Sequence, residues 1–155
     1  MKPTPEQRLV ELGITLPEPP GAVAAYVPTV VHNGQIWVSG QVPLRDGGLP
    51  RVGLVGRDIS VDDAAEEARF CALNALAHLK AAAGSLNEIE RILKLTVFVA
   101  SSAGFHAQPL VANGASDLFQ EVFGDQGRHA RSAVGVAELP LGAPVEIEVI
   151  AALRG

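Results

Sequence analysis

A chain of 155 residues is long enough to enclose a hydrophobic core and short enough to do so as one domain. Its 48% apolar and 19% charged residues exclude intrinsic disorder, and a net charge of -5 with a pI near 5.3 removes the electropositive field that nucleic-acid binders use. A single cysteine, Cys71, excludes an internal disulfide and a cysteine-built metal site, and the four histidines are scattered without metal-ligand spacing.

Thr4, Pro5 and Gln7 carry a helix-start signature, with Thr4 capping and Pro5 at the first helical position of a short helix that runs to Leu12 and stops at Gly13. Leu16 and the run Pro17-Glu18-Pro19-Pro20-Gly21 have too few backbone donors for a helix or a central strand and read as an extended connector. Val27–Val31 and Gln35–Gln41 are apolar, β-branched runs joined through His32-Asn33-Gly34, and Asn-Gly predicts a hairpin between them. Leu44–Gly56 is rich in glycine and reads as a loop with at most a short strand. Ser60 caps a long helix with Asp62 and Asp63 in its first turn. Its apolar stripe is Ala64, Ala68, Cys71, Ala72, Ala75, Leu76 and Leu79, and Gly84 ends it. Cys71 in that stripe is a small buried hydrophobe. Ile92–Val99 alternates as a strand, with Leu93, Leu95, Val97 and Val99 on one side and Lys94, Thr96 and Phe98 on the other. A second helix covers Pro109–Phe123. Two period-2 runs then flank the turn Leu139-Pro140-Leu141-Gly142 and are expected to pair as a hairpin or near-hairpin. If Ser132, Val134 and Val136 in the first run and Val145, Ile147 and Val149 in the second both face the core, Arg131 and Glu146 emerge together on the other side, among small residues that leave room for a ligand.

This order, β-β-α-β-α-β-β behind a leading helix, predicts one mixed sheet with two helices packed on one face, an α+β sandwich. The other face would carry Trp37, Ser39, Phe98, Arg131 and Glu146, too apolar for plain solvent and too charged for a core. Burial against further copies of the chain reconciles the two, so a symmetric oligomer with pockets at its subunit boundaries is expected. The N-terminus lacks the apolar stretch of a signal peptide and no run is long enough to span a bilayer, which points to a cytoplasmic protein without a membrane partner.

Tyr26, Ser39-Gly40-Gln41, Leu95-Thr96-Val97-Phe98-Val99, Asn113, Arg131-Ser132 and the stretch from Leu139-Pro140 to Glu146-Ile147-Glu148 resemble the Rid family, the YjgF-like proteins once called L-PSP endoribonucleases. The resemblance spans Val23 to Leu153 and divides the chain into an N-terminal helix and connector, 1–22, and a Rid-like domain, 23–155. It implies a chorismate-mutase-like fold assembled as a homotrimer with three pockets between subunits. It also implies hydrolysis of reactive 2-imino acids, formed from enamines, to 2-keto acids and ammonium without metal or cofactor.

Carried over residue by residue, the resemblance makes Arg131 the carboxylate binder and Glu146 the group that orients the attacking water. Tyr26 lines the pocket, Ser39 supplies a hydroxyl at its floor, and Asn113 lies near the cleft. Ala133 stands where the family has cysteine, at a position that offers a backbone carbonyl to the water. Val27-Pro28 replaces the family's Ser-Gln pair, and His129 replaces a proline region, where an imidazole two residues from Arg131 becomes a candidate pocket group. The extra N-terminal helix adds to the signs of a divergent branch. The structural alternative for Arg131 is an ion pair with Glu146 or Glu148. The functional alternatives are a non-catalytic module binding a keto acid or similar small carboxylate, in which Arg131 is essential and Glu146 is not, and an endoribonuclease, which the acidic pI, few aromatics and missing basic stripe disfavour.

Overall fold

The computed structural model describes residues 1–19 and 25–155. The end of the predicted connector, Pro20-Gly21, and the expected boundary at 22/23 lie outside the described residues. Helix α1, Pro5–Glu11, is closed by a full capping box: the Gln7 amide donates to the Thr4 hydroxyl while the Gln7 side chain accepts from the Thr4 amide. Strands β1, Thr29–His32, and β2, Gln35–Gln41, pair antiparallel around Asn33 and Gly34, both with positive φ as a two-residue hairpin turn requires. The first strand therefore begins two residues later than its apolar run. Helix α2, Val61–Ala83, is capped by the Ser60 hydroxyl and ends at Gly84, and its predicted stripe is buried throughout. Cys71 lies within it and donates its thiol to the Val145 carbonyl.

Strand β3, Ile89–Ala100, is followed by helix α3, Gln108–Phe123, then β4, Ala130–Val136, and β5, Val145–Leu153. The five strands form one mixed sheet in the order β1-β2-β5-β3-β4. The expected hairpin between the last two strands does not exist. β3 lies between them, antiparallel to β5 and parallel to β4 after the crossover through α3. Pro140–Gly142 instead forms a short 3-10 turn in the connection that passes the end of β3, with Leu141 at φ 62°.

α2 lies over β5 and β2, α3 over β3 and β4, and α1 against α3, so the core fills one side of the sheet. That side receives Ile36 and Val38 of β2, Val145, Ile147 and Val149 of β5, and Leu95, Val97 and Val99 of β3. A register shift between Ile92 and Lys94 breaks the alternation, so Ile92 is fully buried and Leu93 only partly, contrary to the simple period-2 reading. α2 and α3 approach most closely at Gly114, where a Cβ would collide with the Ala65 carbonyl oxygen, and this contact fixes how α3 presents its next turn. Among the described residues no helix is long and apolar enough to cross a membrane.

Candidate active site

In β4 the core-facing set is the reverse of the expected one. Arg131 lies opposite Leu95 and Ala133 opposite Val97, so both sit on the helix-covered side, while Val134, opposite Phe98, is turned to the open face and exposed. β4 is an edge strand beyond the main core, and the small or polar Ala133 and Gly135 fit beneath α3. Glu146, paired with Phe98, lies on the open face. Arg131 and Glu146 thus occupy opposite faces, separated by two strand spacings and three residues along the sheet, about 14 Å between Cα atoms. Neither an ion pair between them nor a shared site within one chain is formed.

Arg131 is partly buried in a cleft of about 390 Å³ lined by Asn113, Ser116, Asp117, Gln120, Arg128 and His129. Its Nη1 donates to Asn113 Oδ1 at 2.8 Å and to Ser116 Oγ at 3.1 Å. Both acceptors are neutral, and among the described residues no carboxylate pairs with this guanidinium. The two hydrogens of Nη1 are engaged, which leaves Nε and Nη2 as donors for an incoming group. Ser116 Oγ also meets His129 Nε2 at 2.9 Å, and His129 Nδ1 lies 2.6 Å from the Gly127 carbonyl. Burial, opposed by the bond to Gly127 and helped by a smaller contribution from the Arg131 charge, lowers the His129 pKa and so favours the neutral imidazole. Ala133 packs its methyl at the margin of the core.

The second group lies around the β2–β5 register shift between Val38 and Gln41. Gly40 leaves room there for the Glu146 carboxylate, since a Cβ would collide with Oε1 and push that side chain aside. The half-buried Glu146 carboxylate accepts no hydrogen bond from the described side chains or backbone, and burial first, then the neighbouring Glu148, raises its pKa. Ser39 donates its hydroxyl to the Val27 carbonyl at 2.7 Å, and its amide donates to the Pro28 carbonyl. These bonds tie the segment that carries the exposed Tyr26 to the same edge.

Of the residues singled out from sequence, then, Arg131, Asn113 and His129 converge, with Ala133 beside them on β4. Ser39 and Glu146 share the Gly40 niche, with Tyr26 on the strap leading to it. Sequence reasoning missed Ser116, although its i, i+3 spacing from Asn113 places both on one helix face. It also missed Gly40 as a residue that makes room for a carboxylate. The Arg131 cleft and the Glu146 niche are two separate places within one chain.

The model of a family described as "YjgF/chorismate mutase-like, putative endoribonuclease" matches residues 6–153. The chain belongs to the YjgF family. Its five-stranded mixed sheet with three helices is the YjgF/chorismate-mutase-like fold. Protein TCP17 of Trypanosoma cruzi is 46% identical over 147 residues, covering 94% of this chain and 92% of its own length. The crystal structure of Atu1372 from Agrobacterium tumefaciens, a protein of unknown function, superimposes with a TM-score of 0.88 at 48% identity, covering 97% of this chain and 92% of that one. TdcF of Escherichia coli, named a "putative reactive intermediate deaminase", is 31% identical over 85% of this chain and 89% of its own. Its structure with bound serine superimposes with a TM-score of 0.63 at 30% identity, covering 88% and 93%.

Proposed function

We propose that the protein is a cytoplasmic homotrimer that hydrolyses 2-imino acids to 2-keto acids and ammonium, in pockets built from the Arg131 cleft of one copy and the Glu146 niche of the next. The observation that carries this reading is Arg131 itself: a guanidinium held by neutral acceptors, unpaired with any carboxylate among the described residues, with Nε and Nη2 free and Arg128 in the same cleft. A carboxylate accepts two parallel N–H bonds from such a fork, which fixes both the position and the plane of the atom next to it. The exposed Val30, Trp37 and Val134 give the open sheet face its reason to associate, and closed symmetry supplies the complementary half-site.

In that pocket Arg131 binds the carboxylate of R–C(=NH)–COO⁻ and holds the imine carbon toward Glu146. A water donates to the Glu146 carboxylate and attacks the carbon, forming the C–O bond while its proton passes to Glu146. Return of that proton to nitrogen gives the carbinolamine R–C(OH)(NH2)–COO⁻. Glu146 then takes the hydroxyl proton and passes it to the amino nitrogen as C–O becomes C=O and the C–N bond breaks, giving the 2-keto acid and ammonia, which takes up a proton as ammonium. A carboxylate with a raised pKa is better matched to both transfers than an ordinary one. Tyr26 and Ser39 bound the niche, and Ala133 offers its backbone carbonyl beside the water. All the groups this sequence requires are side chains or backbone of the protein.

The test is ammonium release from 2-iminopropanoate and 2-iminobutanoate, generated in situ by an amino-acid oxidase, comparing wild type with Arg131→Ala and Glu146→Gln. Both variants should lose the acceleration. Re-annealing the two inactive variants together should then restore about a quarter of wild-type activity, since one pocket in four combines an intact Arg131 with an intact Glu146. No recovery in verified mixed oligomers would reject the shared pocket. The bound serine in TdcF favours a second reading, a binding module for small amino or keto acids. In that case Glu146→Gln leaves affinity intact and wild type shows no turnover.

A further inference from the structure

The Arg131 cleft contains two residues that the deamination chemistry above does not use. Ser116 is buried at 5% exposure on an exposed turn of α3, between the exposed Asn113 and Asp117. His129 sits just before β4, beyond the 3-10 turn Gly124–Gly127 and its cap Arg128. With the imidazole neutral, their hydrogen bonds admit one consistent assignment. A carbonyl oxygen only accepts, so His129 Nδ1 carries the proton and donates to Gly127. The neutral ring then has an acceptor at Nε2, which takes the Ser116 hydroxyl proton at 2.9 Å. With its own hydrogen committed, Ser116 Oγ turns lone-pair density toward Arg131 and accepts from Nη1 at 3.1 Å. Every bond in the series points the same way, from the guanidinium through the hydroxyl and imidazole to the Gly127 carbonyl, and such chains polarise one another.

The anchor is rigid. Gly127 is buried, and a Cβ there would collide with the Phe119 carbonyl oxygen, so the turn that supplies the terminal acceptor is pressed onto α3. The Phe119 ring meets His129 edge to face, with centroids 6.1 Å apart at 78°, which fixes the plane of the imidazole. The charged groups that line the cleft with the ring are Arg131, Arg128 and Asp117, and Arg131 opposes a second proton on it.

We propose that Ser116 and His129 are positioning residues that aim Arg131 and thereby set its preference for a carboxylate over an uncharged ligand. Asn113 alone would leave Nη1 held from one side; the second bond fixes the plane of the guanidinium, and with it the direction in which Nε and Nη2 present their donors. The proposal rests on Arg131 being the carboxylate anchor of the proposed function.

The experiment compares wild type with Ser116→Ala, Ser116→Thr, His129→Leu and His129→Gln, measuring Kd for pyruvate and for pyruvamide, its uncharged amide. Ser116→Ala and His129→Leu should weaken pyruvate binding by about tenfold and leave pyruvamide unchanged, so the discrimination collapses. Ser116→Thr and His129→Gln, which keep a hydroxyl and an acceptor, should recover most of it. Equal loss for both ligands, or no loss for pyruvate, would overturn the positioning role. The chain itself is read without ligand, from the long-range 1H–15N spectrum of His129 and the exchange of the Arg131 Nη protons. A neutral Nδ1–H ring with slow exchange in wild type and fast exchange in Ser116→Ala is expected. An Nε2–H ring, or exchange indifferent to the variants, would overturn the chain. A wild type that ignores pyruvate yet shows the expected spectra would instead remove the parent reading of Arg131 as the carboxylate anchor.

Discussion

Two glutamates on different elements have opposite environments. Glu67 of α2 is fully buried, accepts from Arg45 Nη2 at 2.9 Å and Nη1 at 3.0 Å and from Arg51 Nη1 at 2.7 Å, and has the Arg45 guanidinium stacked 3.5 Å from the centre of the Phe70 ring. Glu146 of β5 is half-buried, has no cation beside it, and faces a second carboxylate, Glu148. A buried charge met by two guanidinium groups holds structure together; it pins the loop carrying Arg45 and Arg51 onto α2. A carboxylate kept partly desolvated and unpartnered gives nothing to the fold and is available for chemistry. The contrast separates a clamp from a carboxylate that holds nothing in place.

Substitutions at the two glutamates test that contrast directly. Glu146→Gln should lower imine hydrolysis by about 10²–10⁴-fold, the usual contribution of a general base, and should raise the melting temperature at pH 7.5 because it removes a charge that burial penalises. A variant that loses stability instead would make Glu146 a structural residue. Glu67→Ala should do the reverse: it leaves Arg45 and Arg51 without their buried partner, a loss of about 3–5 kcal/mol in chemical denaturation, with turnover per folded molecule preserved. Gly40→Ala comes next. Its methyl group displaces the flexible end of the Glu146 side chain rather than any backbone, so the cost in stability should stay at or below about 1 kcal/mol, the low end for overpacking. If the carboxylate escapes by turning away from the niche, activity falls while the fold stands; turnover equal to wild type would show that the position of Glu146 is immaterial.

Much of the scaffold was legible because it is encoded locally. The Thr4 and Ser60 caps, the Asn33-Gly34 turn and the α2 stripe each depend on residues a few positions apart, and all formed as read. The arrangement of β4 and β5 was not legible, because a period-2 pattern defines two faces without saying which is covered or what lies between the strands. The insertion of β3 is decided by its length and by hydrogen bonding along both of its edges. The same ambiguity put Arg131 on the wrong face: at an edge strand the valines went outward and the small residues inward. Glu67 escaped notice because it lies within an alanine-rich stripe, while its partners come from a glycine-rich loop 16 and 22 residues away. His78 of α2 is buried with its Nε2 unpartnered, which α2 periodicity alone did not show.

His78 supplies the smallest test, and one whose sign separates it from Glu146. Burial lowers the pKa of His78, and that of His129, below the ordinary value near 6.5. The unfolded chain therefore takes up protons at a higher pH than the folded one, and stability is fully present above about pH 6.5 and declines as pH falls toward the lowered folded values. Glu146 works in the other direction: its folded pKa is raised above 4.5, so its penalty grows as pH rises through that window. At fixed protein concentration, wild type should melt lower at pH 5.5 than at pH 7.5. His78→Leu, which keeps an apolar side chain of similar volume and removes the titrating ring, should recover about 2–4 °C of that difference. Glu146→Gln should steepen the remaining decline, because the compensating carboxylate is gone. If His78→Leu leaves the slope unchanged, the acid sensitivity belongs to His129, and Ser116→Ala, which removes the hydroxyl donor that favours the neutral ring, should then bring the folded pKa of His129 back toward its unfolded value and flatten the decline.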